Sequence, residues 1–276
     1  MKKKLIKYVL QLLLMLGSAL ILISCSSEDG KSSLSENLKY EIVKYQKKSE
    51  GCDSLQNQNC AEIKIEFPKI AFPANKIVEE KINKSITELF SQDIFGSTES
   101  SDFEVLMNGF IQDYESFKQE FTEASQSWAV ERSGEVRLNK AGVFSIDYTE
   151  YAYTGGAHPN TFVSFKNFSL NNGEEILIDE LFTLEKQQEL TKIAEKEFRQ
   201  LKQLGPEDDL GSAGFWFENN KFSLNDNFLI TDKGLLFYYN SYEITAYAFG
   251  PTELELPYAK IKTLIEEKSI LGDLVK

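Results

Sequence analysis

Histidine and cysteine are scarce in this chain, and their scarcity limits the chemistry that it can perform. Among 276 residues there are three cysteines and one histidine, His158. Structural zinc sites usually use four cysteine or histidine ligands, and a Ser-His-Asp triad would have only one base to draw on. A Gly-x-Ser-x-Gly segment, a phosphate-binding loop and a dinucleotide glycine fingerprint are also missing. The sequence therefore predicts no metal, no cofactor, no catalytic residues and a protein that is not an enzyme.

Positive charge is also in short supply. The chain has 30 lysines and arginines against 43 acidic residues, and four of the lysines lie in residues 1–24, which contain no acid. Without those residues, 26 basic residues face 43 acidic ones, a net charge of −17. Phosphate contacts need lysine and arginine, so nucleic acid and anionic lipid are disfavoured as partners. A cationic partner would be attracted, although the acidity can also serve solubility alone.

A long apolar run is present only at the amino terminus. Lys2, Lys3, Lys4 and Lys7 precede an uncharged stretch from Tyr8 to Ile23, and Ser24-Cys25 follows it. The stretch is shorter than the ~20 residues of a usual membrane span. It has the pattern of a secretory signal with a lipobox, so we predict that residues 1–25 are a lipoprotein signal peptide and lipobox, with the lipid on Cys25. A transmembrane anchor is the alternative.

This prediction sets the expected location of the protein. Residues 26–37 are rich in serine and acidic residues, a composition typical of a flexible tether between lipid and fold. We expect an extracytoplasmic protein that is lipid-anchored to a bacterial membrane, the outer membrane if the host is Gram-negative.

The other two cysteines, Cys52 and Cys60, flank a polar turn. In an oxidising compartment two such cysteines usually pair, so we predict a Cys52–Cys60 disulfide. The chain-entropy model assigns about 2–3 kcal/mol to so short a loop.

Hydrophobic periodicity predicts a mixture of strands and helices. Apolar residues at every second position predict strands, and apolar residues at helical spacing predict helices with one buried face. The predicted strands are 38–47, 61–67, 128–130, 136–138, 144–148, 161–170, 234–239 and 253–256. The predicted helices are 78–90, 103–121, 184–204 and a short one opened by Pro257. Because short turns rather than helical crossovers join the strands, we predict the α+β class, with an antiparallel sheet packed against helices.

One segment, Tyr151 to Asn160, combines two glycines with the lone histidine. Gly155 and Gly156 permit a backbone path that residues with side chains resist, and Pro159 forces an extended conformation on His158. An imidazole held in such a turn can hydrogen-bond its own loop, bind a partner or act as a base. All three interpretations stay open.

Three blocks of the sequence resemble a family of extracytoplasmic domains of unknown function. The first block is Tyr153-Thr-Gly-Gly-Ala-His-Pro-Asn160. The second is Asn167-Phe168-Ser169-Leu170, the turn at Gly173, and then Leu177, Asp179, Leu181 and Phe182. The third is Tyr242-Glu-Ile-Thr-Ala-Tyr-Ala-Phe-Gly250, running into Leu256-Pro257-Tyr258. Their order and spacing agree with the family over about residues 38–265, and Ser169 departs from it where an acidic residue is expected.

This family occurs in the lysozyme-sensing membrane anti-sigma factor of Gram-positive bacteria, where it binds lysozyme, and beside a peptidoglycan deacetylase. The resemblance implies an α+β fold in two parts, which we place at residues 38–155 and 156–265. It implies no single activity. We expect the bare domain on a lipid anchor, without a sigma-binding segment or a deacetylase.

The leading hypothesis is a non-catalytic cell-envelope lipoprotein that binds a lysozyme-type muramidase or a wall glycan. The predicted binding residues are Tyr153, Gly155, Gly156, His158, Asn160, Tyr242 and Tyr247. One alternative is an accessory or catalytic domain acting on peptidoglycan, with His158 and a carboxylate as the working pair. The other is a structural scaffold lipoprotein.

Overall fold

The fold consists of a large curled sheet and a small second sheet, each covered by helices. The computed structural model describes residues 37–52, 59–71, 75–94 and 101–275. The predicted signal peptide with Cys25, and the predicted tether except its last residue, lie outside the described residues. The strands are β1 (Tyr40–Lys48), β2 (Ala61–Ile70), β3 (Trp128–Ser133), β4 (Val136–Lys140), β5 (Val143–Tyr153), β6 (Asn160–Ser169), β7 (Phe228–Ile230), β8 (Gly234–Tyr239) and β9 (Thr252–Pro257). The α-helices are α1 (Lys76–Phe90), α2 (Phe103–Glu120), α3 (Ile178–Leu181), α4 (Leu184–Leu201), α5 (Tyr258–Ile261) and α6 (Ile270–Val275).

The first sheet has six strands and is built around the long strand β5. On one side β5 pairs with β3 and then with β4, and on the other side it pairs along its length with β6. Strands β2 and β1 continue the sheet beyond β3. Strands β5 and β6 form one hairpin. The boundary predicted between the two parts of the domain, at residues 155 and 156, lies in the turn of this hairpin.

One pair in this sheet departs from the expected antiparallel pattern. Strands β2 and β3 are parallel, with Ala61 opposite Trp128 and Glu66 opposite Ser133. Parallel neighbours need a long crossover, and α1 and α2 together supply it. The remaining strand pairs are antiparallel, so the predicted α+β class is confirmed, with one helical crossover that the sequence interpretation had not included.

Helices α1 and α2 cover one face of the first sheet. Each begins at a side-chain cap: Asn75 Oδ1 accepts hydrogen bonds from the amides of Ile77 and Val78, and Asp102 accepts one from Glu104. Such caps satisfy backbone donors that the first helical turn leaves free. The buried stripe of both helices packs on the inward residues of β2, β3 and β5. The buried face predicted for the helix at residues 103–121 is therefore a core face from Phe103 to Tyr114, whereas Phe121 at its end is exposed.

The second sheet orders its three strands as β7-β8-β9, all antiparallel. Its core is shared with α4, whose buried residues are Leu190, Ala194 and Phe198. This helix ends at Leu201, before the predicted end at Leu204, because Gln203 adopts the left-handed φ of +59° that terminates a helical ladder.

Three asparagine side chains join the two sheets along the outer edge of β6. The amide of Asn240 exchanges two hydrogen bonds with the backbone of Val163, at 2.8 and 2.9 Å. Asn227 accepts from the Phe165 amide at 2.9 Å and donates to the Val163 carbonyl at 2.9 Å. Asn167, only 2% exposed, bonds Phe228 and Ile230 in the same manner. These amides pair the backbone groups of an edge that would otherwise be open.

The predicted disulfide is confirmed. Cys52 and Cys60 are bonded, with their Cα atoms 5.4 Å apart, between the end of β1 and the start of β2. Within the described part of the chain, no helix combines the length and the apolar character that crossing a membrane requires.

Candidate functional site

The turn between β5 and β6 carries the glycine pair and the histidine. Gly155 and Gly156 have φ values of +103° and +104°, a region that residues with a Cβ rarely adopt. The Tyr153 hydroxyl donates a hydrogen bond to the Gly156 carbonyl at 3.2 Å. The glycines therefore bend the chain, and Tyr153 holds the bend, so that His158 emerges exposed at its far side.

A buried ion pair fixes the strands beneath this turn. Arg132 on β3 is 2% exposed, and its Nε donates to Glu150 at 2.7 Å while its Nη1 donates to the Phe90 carbonyl at 2.8 Å. The Tyr148 hydroxyl donates to the same Glu150 oxygen at 2.9 Å. Burial raises the pKa of Tyr148 well above its usual value, so that this phenol stays a donor. The network anchors β5 shortly before it enters the turn.

The second predicted segment lies between β8 and β9 and begins with a strained turn. Tyr242 adopts a φ of +67°, a left-handed conformation that is unfavourable for a bulky side chain. Hydrogen bonds of the neighbouring residues hold this conformation. The Glu243 carboxylate accepts one from the backbone amide of Asn240 and one from the side-chain amide of Asn225, both at 2.7 Å. Asn240 is itself fixed to β6. The surrounding hydrogen bonds hold Tyr242 in a backbone conformation that costs free energy. Because residues strained in this way cluster at functional sites, Tyr242 is a candidate functional residue.

Buried residues then anchor the segment while aromatic rings remain outside. Ile244 and Thr245 are buried, and the Thr245 hydroxyl donates to the Gly214 carbonyl at 3.0 Å. The Trp216 amide donates to the Ile244 carbonyl at 2.8 Å, which ties a third stretch of chain to this segment. The indole of Trp216 is 55% exposed, Tyr242 is 54% exposed and Phe249 is 75% exposed.

The two predicted segments meet through ring stacking. The imidazole of His158 lies on the ring of Tyr247, with centroids 3.9 Å apart and planes at 15°. Tyr242 lies next to Tyr247, at 5.4 Å and 31°. The Tyr247 hydroxyl also donates to the Pro159 carbonyl at 3.2 Å. We call His158, Tyr242 and Tyr247 the aromatic cluster.

The imidazole is also hydrogen-bonded within its own turn. His158 Nδ1 lies 3.0 Å from the Pro159 carbonyl, and since a carbonyl oxygen can only accept, Nδ1 carries the proton. In the tautomer that makes this bond, Nε2 carries no hydrogen and can accept a hydrogen bond. Nowhere in residues 37–52, 59–71, 75–94 or 101–275 do three histidine, cysteine or acidic side chains come together as metal ligands.

Two family models match different parts of the chain, and the aromatic cluster has residues in both parts. Residues 54–161 match the family model described as deacetylase PdaC, and residues 179–259 match DUF3298, a protein family of unknown function. Two family models therefore match separate stretches of the chain, PdaC the earlier one and DUF3298 the later one. This bears out the resemblance found in the sequence, and the two domains together indicate a cell-envelope-related protein. No curated protein sequence matches the chain.

Solved structures of DUF3298 proteins have the same fold. The chain is similar to a DUF3298 family member from Bacteroides fragilis NCTC 9343, with 19% identity and a TM-score of 0.71, over 87% of this chain and 99% of that one. A DUF3298 family protein from Pseudomonas aeruginosa PAO1 has 18% identity and a TM-score of 0.58, over 87% and 98% of the two chains. At these identities the likeness shows the fold alone.

The aromatic cluster joins the two matched domains. His158 belongs to the PdaC match, whereas Tyr242 and Tyr247 belong to the DUF3298 match. Of the other predicted residues, Tyr153, Gly155 and Gly156 shape the turn, and Asn160 is exposed at the start of β6. Sequence analysis missed Trp216. The run Phe215-Trp216-Phe217 mixes one exposed ring with a buried one, and no periodicity distinguishes them.

Proposed function

We propose that this chain is a non-catalytic, lipid-anchored protein of the bacterial cell envelope that binds a partner through the aromatic cluster. The partner is a lysozyme-type muramidase or a wall glycan. The observation that carries the proposal is the contact between His158 and Tyr247, which assembles one exposed surface from two segments in different family matches. Tyrosine and tryptophan are the residues that binding hot spots favour.

Charge supports the muramidase as a partner. The chain without residues 1–24 has a net charge of −17, and opposite net charge accelerates the encounter with a cationic protein. The apolar run before Ser24-Cys25 supports the lipid anchor, which would hold the domain at the membrane where such partners act.

The proposal is tested by calorimetric titration of residues 26–276 with a basic lysozyme and, separately, with soluble peptidoglycan fragments. This stretch contains all described residues, which cluster as one compact unit. We expect saturable binding at physiological salt to at least one of the two. Binding that disappears as salt rises reflects charge attraction alone, and an absence of saturable binding to both would reject the proposal.

Two variants localise the binding. Tyr247→Ala removes the central ring of the cluster, and Phe121→Ala removes an exposed ring at the end of α2, far along the chain from the cluster. We expect only Tyr247→Ala to weaken the complex. Equal effects of the two substitutions would mean that the aromatic cluster is not the binding surface.

A second candidate function is an accessory or catalytic role on peptidoglycan. It is favoured by the match to a family named for a deacetylase, and His158 would supply the base through Nε2. It predicts that His158→Ala abolishes turnover of peptidoglycan while the thermal transition is retained. Turnover that survives in this variant would remove the hypothesis. If neither binding nor turnover is found, the scaffold interpretation remains.

A further inference from the structure

We propose that the aromatic cluster and its exposed neighbours Trp216 and Phe249 bind the ring faces of a neutral glycan, of the N-acetylhexosamine class. This inference rests on the proposed function and chooses between its two kinds of partner.

Exposed aromatic rings lie in the cluster and on the backbone that adjoins it. Three aromatic side chains on adjoining backbone, Trp216, Tyr242 and Phe249, each leave half or more of their surface to solvent. The C–H face of a pyranose is flat and apolar, and it stacks on an aromatic ring, whose face carries partial negative charge. Several separate rings suit a chain of sugar units, which presents one such face after another.

The two segments that form the cluster carry little charge. The segments 153–160 and 240–250 contain no lysine or arginine, and Glu243 is their only acidic residue. Its carboxylate already accepts hydrogen bonds from Asn240 and Asn225. Within these two segments, therefore, neither a polyanion nor a strongly cationic patch finds a free counter-charge. A neutral ligand fits best.

The turn that carries His158 also supplies neutral hydrogen-bonding groups. Asn160 is exposed directly after Pro159, two residues along the chain from the stacked His158. Nε2 of His158 is a further acceptor. Apolar faces combined with a few placed polar groups are the usual composition of a small-molecule site. Here they match the hydroxyl and acetamido groups around the edge of a sugar ring.

The backbone of Tyr242 is strained. Glycine adopts its φ of +67° without steric cost, and tyrosine does not. If the ring served only the fold, a residue suited to this turn would stabilise the protein more. A strained aromatic ring that is mostly exposed is explained when a ligand uses it.

The test measures binding of N-acetylglucosamine hexamer to residues 26–276 by tryptophan fluorescence. Of the two tryptophans, Trp128 is buried and Trp216 is exposed, so that stacking on Trp216 changes the emission and Trp216→Phe removes the change. We expect saturable binding whose Kd changes less than about twofold between low and physiological salt, because the ligand is neutral.

Tyr242→Gly is the decisive variant, and Phe121→Ala is its matched control. We expect Tyr242→Gly to weaken hexamer binding about thirtyfold, as for the loss of a central ring, while its thermal midpoint stays equal or rises. Phe121→Ala should bind as the parent chain does. Hexamer binding that is absent, or that is unchanged in both Tyr242→Gly and Tyr247→Ala, overturns the inference.

Lysozyme binding measured beside it separates the two proposals. If lysozyme binds and Tyr247→Ala weakens that complex, but the hexamer does not bind, the glycan inference fails and the proposed function stands. If neither lysozyme, nor the hexamer, nor peptidoglycan fragments bind, both fail.

Discussion

The imidazole of His158 stacks on the ring of Tyr247 at 3.9 Å, and both side chains hydrogen-bond the carbonyl of Pro159. One turn of the large sheet is thereby fastened to the segment between β8 and β9 of the small sheet. The asparagine amides along β6 fasten the same two sheets a few residues away. The surface formed by the stack is thus held by the fold and not by a ligand.

The coupling between these two rings can be measured. A double-mutant cycle of His158→Ala and Tyr247→Ala should give an interaction energy of about 0.5–1.5 kcal/mol, the usual range for an aromatic pair. The free energies of unfolding come from urea titrations of the four proteins. The cycle of His158→Ala with Phe121→Ala should be additive, and a similar coupling in both cycles would argue against a specific contact.

Asn167 should be more important for stability than an exposed asparagine. Asn167→Leu leaves the Phe228 carbonyl and the Ile230 amide buried without their partner, so we expect a loss of at least about 2 kcal/mol in the free energy of unfolding. Asn171→Ala in the exposed turn after β6 serves as control and should change it by less than about 0.5 kcal/mol. Equal effects in urea titration would show that the bridge contributes little.

Removal of the buried guanidinium should be severe. Arg132→Met leaves the Glu150 carboxylate without its cation, although Tyr148 still donates to it, and removes the guanidinium donor of the Phe90 carbonyl. Loss of one partner of a buried pair costs about 3–5 kcal/mol. Lys44→Met breaks the exposed pair with Glu66 and should cost at most about 1 kcal/mol. Chemical denaturation measures the free energy of unfolding of both variants. A loss in Arg132→Met as small as that in Lys44→Met would mean that the buried pair contributes little to stability.

Asp147 should make stability depend on pH. Burial raises the pKa of its carboxyl above the ordinary 3.8, although the Glu135 amide and the Arg137 guanidinium oppose the shift. The folded chain therefore binds this proton more tightly than the unfolded chain, so that the stabilisation is present below 3.8 and is lost as pH rises through the raised value. Relative to Asp147→Asn, the parent chain should gain stability as pH falls through that window. Denaturation curves from about pH 7 to about pH 3.5 measure the difference, and a constant difference would contradict the assignment.

The strands and long helices followed from local patterns because burial of one face imposes a period on the sequence. The stripes of α1 and α2 and the alternation in β2 are of this kind. Pro68 shows the limit of such rules, since β2 runs on to Ile70 although the predicted strand stops at residue 67, before this proline. Strand β3 pairs with β2 only as far as Glu66, so that at Pro68 only β1 pairs with β2. A strand position with one free edge tolerates the missing amide hydrogen of a proline.

The sequence by itself determined the α+β class, the disulfide, the bend at Gly155 and Gly156, and the two segments around His158 and Tyr247. Each of these depends on neighbours a few residues away, where sterics and periodicity act. Only the tertiary structure decided that β2 and β3 run parallel, that Asn167, Asn227 and Asn240 join the sheets, and that His158 rests on Tyr247. These contacts join residues far apart in the chain, and their partners are selected when the two cores pack against each other. No periodicity or short motif in the sequence predicts these pairings.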